Sequence, residues 1–338
     1  MKQSLLFILI IFISCQKETN KPFVKEAENI QIAELVEFIP ESKETILTQT
    51  EDWENQVLGY FNVVKRSGYP EQMWYTSWKS TIFNDLSSYF CYAENVNGKW
   101  EKIKLNKDTN ILLGNGKSTG VVEHFVFYDD DLKKYRMLAA TSNGAGKTYT
   151  YLYSSDDGKI WEDKKVVFPN YYDTQFSVIE HLGLYHVYLR IVKDGNFRTV
   201  GKAIITKEGT VMQEPYIIFS DNKDVKYNQI YNHAASKLTD NINIMFPTYY
   251  DNVSDNMYIS FVIEKDNKIH ISNLNLNEYL FGDEQIGWGV VSPGLYPTEE
   301  KNIYWIYYYG SSLTHNKRVK EKNGYTNFYR IKIRLNIG

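Results

Sequence analysis

Acidic, imidazole and amide side chains recur where successive apolar segments of this chain begin. The residues concerned are Asp52 and Glu54, Glu123 and His124, Tyr172 and Asp173, Asn232 and His233, and finally Trp288. If the five starting points meet in space, these side chains form a polar ring beside one indole. Such a ring could bind or cleave a polar substrate.

A pair of carboxyls in such a ring supplies what glycoside cleavage requires. One carboxylic acid protonates the leaving oxygen, and a second carboxylate activates water or attacks the sugar directly. We predict Asp173 and Glu123 as the catalytic pair, with Glu54 or Asp52 as a further carboxylate and His233 sharing the proton transfer. The structural alternatives are a turn cap for Asp173, a solvent-facing strand end for Glu123 and an acidic linker for Glu54.

Substrate contacts are predicted for five residues around this pair. Arg190 ends the central segment of the third repeat, near Asp173, and could hold an acidic sugar or lower the pKa of a carboxyl. The other four are His124, Asn232, Trp288 and Tyr172. Alternatively, Arg190 pairs with a structural acid, the indole packs in the core, and the two candidate histidines are satisfied core residues or ligands of a central ion.

β-Strands in a repeated pattern must position these residues. Aromatic residues make up 15% of the chain and many alternate with polar ones, which is typical of strands. Each repeat has three strands and a polar turn, and the central strands begin at Gln72, Tyr135, Leu184, Ile242 and Ile303. Central strands that recur at this spacing along the chain are typical of propeller blades. We therefore predict an all-β, five-bladed β-propeller over residues 51–338. The alternatives are a β-sandwich or two smaller β-domains, but no Pro/Gly-rich linker divides the chain.

Two turn motifs favour the propeller. Ser154, Asp156, Gly158 and Trp161 fit the Asp-box pattern Ser-x-Asp-x-Gly-x-x-Trp, and residues 95–100 form a degenerate copy in the preceding repeat. In this motif the Asp caps a tight turn, the Gly takes a strained backbone angle and the Trp packs between strands. These boxes are structural and carry no catalytic group.

The N-terminal segment has the order of a bacterial lipoprotein signal. Lys2 is followed by an apolar run over residues 5–13, which is too short for a bilayer span of about 20 residues. Phe12-Ile13-Ser14-Cys15 resembles a lipobox, so we predict a signal peptide at 1–14, lipid on Cys15 and a polar tether over 15–50. Residues 16–20 resemble the charged stretch that sends many Bacteroidetes lipoproteins to the outer cell face. We therefore expect lipid anchoring in the outer membrane, facing outside or the periplasm; an ordinary secretory signal is the alternative.

Composition excludes several classes of function. The formal net charge is −3 and the Lys and Arg residues are scattered, so no basic face for nucleic acid is visible. With Cys15 lipidated, Cys91 has no cysteine to pair with, and no Cys/His cluster has zinc-type spacing. Dinucleotide, P-loop and nucleophile-elbow motifs are absent. We expect a monomer that touches the membrane only through its lipid and requires no cofactor, although the tunnel could hold a structural ion.

A series of short motifs over residues 50–338 resembles the five-bladed-propeller glycoside hydrolases of the arabinanase, β-xylosidase and invertase clan (families 43 and 32). Besides the Asp box, the motifs are Met73-Trp74-Tyr75, Tyr92-Ala93-Glu94, Gly98-Lys99-Trp100-Glu101, Tyr135-Arg136-Met137, Asp173-Thr174-Gln175, Tyr188-Leu189-Arg190, Tyr231-Asn232 and Met245-Phe246-Pro247-Thr248. The resemblance implies acids on the inner strands of successive blades, with Asp173 at the inner-strand Asp of blade three and Glu123 at a comparable place in blade two. The clan's blade-one Asp has no clear match beyond Asp52 and Glu54, and blade four offers Asn232 and His233 where an acid Glu is expected. In some distant relatives a His replaces that acid, a part that His124 or His233 could play.

Three functions follow from these observations. The first is a glycoside hydrolase that cuts oligosaccharides from plant or algal polysaccharides at the cell envelope. The second is a non-catalytic surface glycan-binding lipoprotein on the same fold, with Trp288, Tyr172 and Tyr231 stacking on sugar rings. The third is a propeller scaffold for protein assembly, which predicts an uncharged, filled pocket and an apolar patch elsewhere.

Overall fold

The computed structural model describes residues 35–80, 88–105, 108–114, 121–142, 148–170, 172–193, 197–220, 229–272, 274–321 and 324–336. The regular secondary structure of these ranges is almost entirely β-strand. One α-helix, α1 (Asn277–Phe281), and two short 3-10 turns, Asp52–Glu54 and Lys317–Val319, are the helical elements among them. None of the helices described is long and apolar enough to cross a membrane.

Twenty-five strands are numbered along the chain. They are β1 (Val36–Thr48), β2 (Val57–Val64), β3 (Gln72–Trp78), β4 (Ser88–Val96), β5 (Lys99–Glu101), β6 (Ile111–Leu113), β7 (His124–Asp129), β8 (Lys134–Ser142), β9 (Thr148–Ser155), β10 (Glu162–Phe168), β11 (Ser177–His181), β12 (Leu184–Lys193), β13 (Phe197–Thr206), β14 (Val211–Phe219), β15 (Gln229–Asn232), β16 (Ala235–Lys237), β17 (Ile242–Met245), β18 (Thr248–Asp251), β19 (Asn256–Ile259), β20 (Val262–Lys265), β21 (Lys268–Ile271), β22 (Trp288–Val291), β23 (Tyr296–Pro297), β24 (Ile303–Ser311) and β25 (Thr326–Leu335).

The strands form five antiparallel blades, as the sequence predicts. From inner to outer strand, blade one is β2-β3-β4-β5, blade two is β7-β8-β9-β10 and blade three is β11-β12-β13-β14. Blade five is β22-β24-β25-β1, and β6 and β23 extend blades one and five. The inner strands lie side by side, β2 against β7, β7 against β11 and β11 against β16. They enclose a central tunnel, and we call the end at which they begin the mouth.

Blade four differs from the others because it is broken into two sheets. Its upper sheet is β15-β18-β19 and its lower sheet is β16-β17-β20-β21. The inner strand breaks at Ala234, which has φ +42°, and the second strand breaks at Pro247, which lacks an N–H for the ladder. Two backbone hydrogen bonds bridge the break, from Phe246 N to His233 O and from Ser260 N to Pro247 O.

The propeller begins earlier than the sequence analysis placed it. β1, within the predicted tether of residues 15–50, pairs antiparallel with β25 from Val36 opposite Leu335 to Thr48 opposite Asn327. The first strand of the chain thus closes the ring against the last. It reads as a tether because it is an outermost strand with one exposed side, contains Pro40, and is interrupted by two register shifts.

Polar side chains on the inner strands join neighbouring blades. Asn62 donates to Val126 O and accepts from Val126 N, and Gln175 and Ser292 both donate to Phe61 O. Because these bonds satisfy buried backbone groups across blade boundaries, they fix the inner strands relative to one another. Aromatic side chains fill the space between the blades, and the largest fully buried ones are all Trp or Tyr.

The Asp box forms the predicted turn with one change of residue. Asp157, rather than Asp156, caps it: its Oδ1 accepts hydrogen bonds from the backbone N of Lys159 and Ile160. Gly158 has φ +74°, as the motif requires, and the part-buried Trp161 packs against Phe90. The turn also reaches blade one, because Trp74 Nε1 donates to Gly158 O at 2.7 Å.

Candidate active site at the tunnel mouth

A buried arginine organises the tunnel mouth. Arg190, in the second half of β12, is 2% exposed and donates from Nε and Nη2 to the backbone oxygen of Tyr231 on blade four. Its Nη1 lies 2.9 Å from Oδ2 of Asp173, which precedes β11 on the same blade. The predicted proximity of Arg190 and Asp173 is therefore present in the structure.

Two carboxyls and two phenols act on this guanidinium. Burial alone lowers the pKa of Arg190, but Asp173, then Tyr60, Tyr231 and Glu123, raise it above its usual value. Glu123, which stands just before β7, is 2% exposed, whereas the Asp173 side chain is 51% exposed. The ring thus brings together the carboxyls of blades two and three, one sheltered and one in contact with water.

Aromatic rings form the floor beside these charges. Tyr60 Oη lies 3.3 Å from Tyr231 Oη, and the edges of both rings meet the indole of Trp288, with ring centres 6.3 Å apart in each case. Tyr60 has φ +28° at the bulge of β2, a costly backbone angle for a residue with a side chain. Such strain is concentrated at functional sites. We call Tyr60, Glu123, Asp173, Arg190, Tyr231 and Trp288 the mouth cluster.

A loop from blade five covers one side of the cluster. It follows β24, and in it the guanidinium of Arg318 stacks on Trp288 at 4.2 Å from the ring centre. Its backbone is held from two directions, since Gln56 Nε2 donates to the oxygen of Arg318 and Asp255 accepts from the N of Asn316. Trp288 is fully buried beneath this loop, so its ring is not an open surface for a sugar.

Three predicted site residues lie between blades rather than in the mouth. Both ring nitrogens of His124 face protein oxygens, Thr76 Oγ1 at 3.2 Å and Trp74 O at 3.3 Å, and burial lowers the pKa of His124 to about 4. Asn232 accepts from Thr174 Oγ1 at 3.1 Å. His233 is buried behind the mouth, and burial lowers its pKa to about 3. We leave these three out of the proposed site because their side chains bond to or pack against neighbouring strands.

Glu54 is also separate from the mouth cluster. It ends the 3-10 turn that precedes β2, and its carboxylate accepts hydrogen bonds from Tyr75 Oη, Lys102 Nζ and two backbone N–H groups. The side chain is fully buried, so its carboxylate oxygens are engaged by these protein donors and face no solvent. In blade one the side chain that faces the tunnel is that of Tyr60 and not that of Glu54, because the bulge of β2 turns Tyr60 toward the tunnel.

Tyr172 stands next to Asp173 in the chain but turns toward blade two. It is half-buried, its ring packs edge-on against Phe168 at 5.6 Å, and burial raises its pKa. The prediction of a substrate contact at Tyr172 remains open. Cys15 lies outside the described residues, so its predicted lipidation stays a prediction.

His124 does not fit the predicted central ion. His124 has both ring nitrogens within hydrogen-bond distance of protein oxygens, which leaves it no free lone pair to offer. Across the ranges that the structure describes, no three His, Cys, Asp or Glu side chains are grouped as metal ligands would be. We derive no chemical step from a metal.

Two cavities lie away from the mouth cluster, toward the far end of the tunnel. They measure about 530 Å³ and about 600 Å³ and share Phe125 and Gly294 in their linings. Neither is lined by Asp173, Glu123 or Arg190. Cavity size therefore does not identify the site here, and we place it by the convergence of charged groups instead.

Comparison with known proteins gives a result at the level of structure only. No protein-family model matches this chain. No curated protein matches it either. An N-acetylgalactosamine deacetylase from F. plautii, in complex with blood group B trisaccharide, matches with a TM-score of 0.64 and 10% identity, over 88% of this chain and 95% of that one.

Other solved structures that match are arabinofuranosidases and related hydrolases. An α-L-arabinofuranosidase from Podospora anserina, in complex with cellotriose, matches with a TM-score of 0.57 and 11% identity, over 86% of this chain and 95% of that one. A family-62 glycoside hydrolase in complex with xylotriose matches with a TM-score of 0.55 and 13% identity, over 85% and 95%. The fold is that of the five-bladed-propeller glycoside hydrolases. At these identities the likeness establishes the fold, and a deacetylase among the matches shows that the fold carries more than one reaction.

Proposed function

We propose that this chain is a glycosidase that cleaves oligosaccharides derived from plant or algal polysaccharides at the cell envelope. The observation that carries the proposal is the pairing of Asp173 with buried Arg190 at the tunnel mouth, with Glu123 acting on the same guanidinium. Two carboxyls placed around one opening are the groups that hydrolysis of a glycosidic bond requires.

The two carboxyls have different surroundings, which suggests different roles. Asp173 is half exposed, and Arg190 fixes one of its oxygens, so the carboxylate can meet water or the sugar. Glu123 is sheltered and is our candidate for the group that protonates the leaving oxygen. Arg190 is a positioning residue, because its two bonds to the Tyr231 backbone hold the guanidinium whether or not substrate is present.

A hydrolysis screen with matched variants tests the proposal. Protein that starts after Cys15 would be incubated with a panel of plant and algal oligosaccharides. We expect product release, and a fall in rate of at least about 100-fold in Asp173→Asn, because a general base or nucleophile is lost. Asp240→Asn is the control, since Asp240 is exposed and pairs with Lys237, away from the mouth cluster. Equal rates for Asp173→Asn and the parent on a cleaved substrate contradict the assignment.

A surface glycan-binding lipoprotein is the second candidate. It is favoured by the depth of Glu123, which is 2% exposed and so offers little surface to a substrate in the mouth. Retained binding of an oligosaccharide with no product from any member of the panel would support this function over the first.

The envelope location rests on the lipobox-like sequence at Cys15. We propose that lipid on Cys15 anchors the protein in the outer membrane. Expression of the full chain in a bacterial host, followed by membrane fractionation, tests this. Membrane-bound parent and a soluble Cys15→Ala variant are expected, and identical fractionation of the two contradicts the anchor.

A further inference from the structure

Three guanidinium groups surround the ring of Tyr231 at the mouth. The Cζ atoms of Arg190 and Arg198 lie 4.6 Å and 5.9 Å from its ring centre, and Arg318 Nη2 lies 3.5 Å from its hydroxyl. The arginines come from the second half of β12, the start of β13 and the loop after β24. The fold therefore concentrates positive charge here from three separate places in the sequence.

A histidine beside Tyr231 shows the effect of this charge. The ring centres of His315 and Tyr231 are 5.0 Å apart. Burial, followed by the charges of Arg318, Arg198 and Arg190, lowers the pKa of His315 to about 3. The imidazole is therefore neutral at pH 7, and the surrounding potential opposes a further positive charge and favours a negative one.

The nearby carboxylates do not offset the three arginines equally. Asp173 is paired with Arg190, the buried Glu123 acts on the same guanidinium, and Asp255 accepts hydrogen bonds from the backbone of the blade-five loop. Arg198 donates to the neutral amide oxygen of Gln229, and it forms no ion pair within the described part of the chain. Its side chain is half-buried, so it can still be reached from solvent.

We propose that the sugar bound at this mouth carries an anionic substituent, a carboxylate or a sulfate ester, and that Arg198 recognises it. The inference rests on the proposed carbohydrate function and names the substrate class. The planar guanidinium fork matches two oxygens of a carboxylate or sulfate, and charge-assisted bonds of this kind are stronger than neutral ones. A neutral sugar offers only hydroxyl dipoles to the same positive region.

Binding measurements with three kinds of trisaccharide test this. Xylotriose, trigalacturonic acid and a sulfated galactan trisaccharide would be titrated into protein carrying Asp173→Asn, in which no cleavage is expected. We expect one anionic ligand to bind at least about 10-fold more tightly than xylotriose, with affinity falling as salt increases. The ligand preferred, uronate or sulfate, identifies the substituent.

Substitution of Arg198 then assigns the preference to a residue. Arg198→Gln is expected to weaken binding of the anionic ligand by about 10- to 100-fold and to leave xylotriose within about 3-fold. Arg198→Lys should restore part of the loss, because it keeps the charge without the fork. Arg334→Gln is the control, since Arg334 pairs with Glu37 on the outer strands of blade five. Unfolding midpoints would confirm that every variant is folded.

The outcomes separate this inference from the proposed function. Cleavage of neutral oligosaccharides that depends on Asp173, with no preference for anionic ligands, overturns the inference and leaves the glycosidase proposal standing. If binding of an anionic ligand depends on Arg198 but the parent protein cleaves no oligosaccharide of the panel, the inference about anion recognition stands and the glycosidase proposal is overturned. Equal affinities of folded Arg198→Gln and Arg334→Gln for the anionic ligand overturn the role of Arg198.

Discussion

Substitution of Gly158 by Ala offers a sharp test of the blade-one to blade-two contact. A Cβ at Gly158 would lie 2.6 Å from Cζ2 of Trp74, and the residue would keep φ +74°. Gly98 occupies the corresponding turn of blade one with φ +84°, and a Cβ there meets no atom within 4 Å. The two substitutions therefore share the backbone strain and differ in the steric clash.

The expected magnitudes follow from these two terms. Left-handed backbone for a residue with a Cβ costs about 1–2 kcal/mol, which applies to both variants. The clash with the fully buried Trp74 adds about 1–3 kcal/mol for Gly158→Ala, since the indole also donates to Gly158 O and cannot move freely. We expect a loss of about 2–5 kcal/mol for Gly158→Ala and about 1–2 kcal/mol for Gly98→Ala.

Urea unfolding followed by far-UV circular dichroism measures the difference. The parent, Gly158→Ala and Gly98→Ala would be compared at one temperature, with the slope of free energy against urea checked for equality. If the two variants agree within about 0.5 kcal/mol, the steric reasoning is wrong, because backbone strain alone would then explain both losses.

Two further predictions concern buried charge. His124 has a pKa of about 4 in the folded protein and about 6.5 in the unfolded chain, so as the pH falls from 6.5 toward 4 the folded protein loses about 3 kcal/mol of stability. The free energies of unfolding at pH 7 and pH 4.5 should therefore differ less in His124→Gln than in the parent. An equal difference in the two proteins contradicts the assignment. Glu264 and Lys202 form a buried ion pair at 2.8 Å, so Glu264→Gln should lower the free energy of unfolding by about 3–5 kcal/mol because it leaves the ammonium unpaired. Glu300→Gln, which removes a more exposed ion pair, should lower it by less than about 1 kcal/mol. Similar losses in these two variants would show that the buried pair is not coupled as its geometry implies.

The blades were predictable from the sequence because their strands are half or fully buried. Segments such as Gln72–Trp78 and Ile303–Ser311 are rich in aromatic residues and buried over most of their length, and their spacing repeats with the blades. β1 was not predicted as a blade strand, because an outermost strand buries little and Val36–Thr48 has the polar composition of a tether. The break in blade four depends on Ala234 and Pro247 acting together, which a single strand pattern does not reveal.

The candidate site was predictable only where equivalent positions of the blades supply it. Asp173 and Glu123 follow from aligning the starts of the inner strands, and Arg190 from its place in the central strand of blade three; the structure pairs Arg190 with Asp173. Tyr60 was missed because a bulge, not the strand period, turns it inward. Arg198 and Arg318 were missed because one begins a third strand and the other lies in a long loop, positions that the alignment of the inner strands does not cover.

The closing strand also determines how the propeller would face a surface to which it is tied. β1 runs antiparallel to β25, so Val36 lies beside Leu335, at the end of blade five away from the mouth, and Thr48 lies beside Asn327, near the mouth. A chain that leads from a lipid on Cys15 to Val36 therefore reaches the propeller from the side opposite the mouth. The proposed anchor would therefore be attached at the end of the propeller opposite the charged opening.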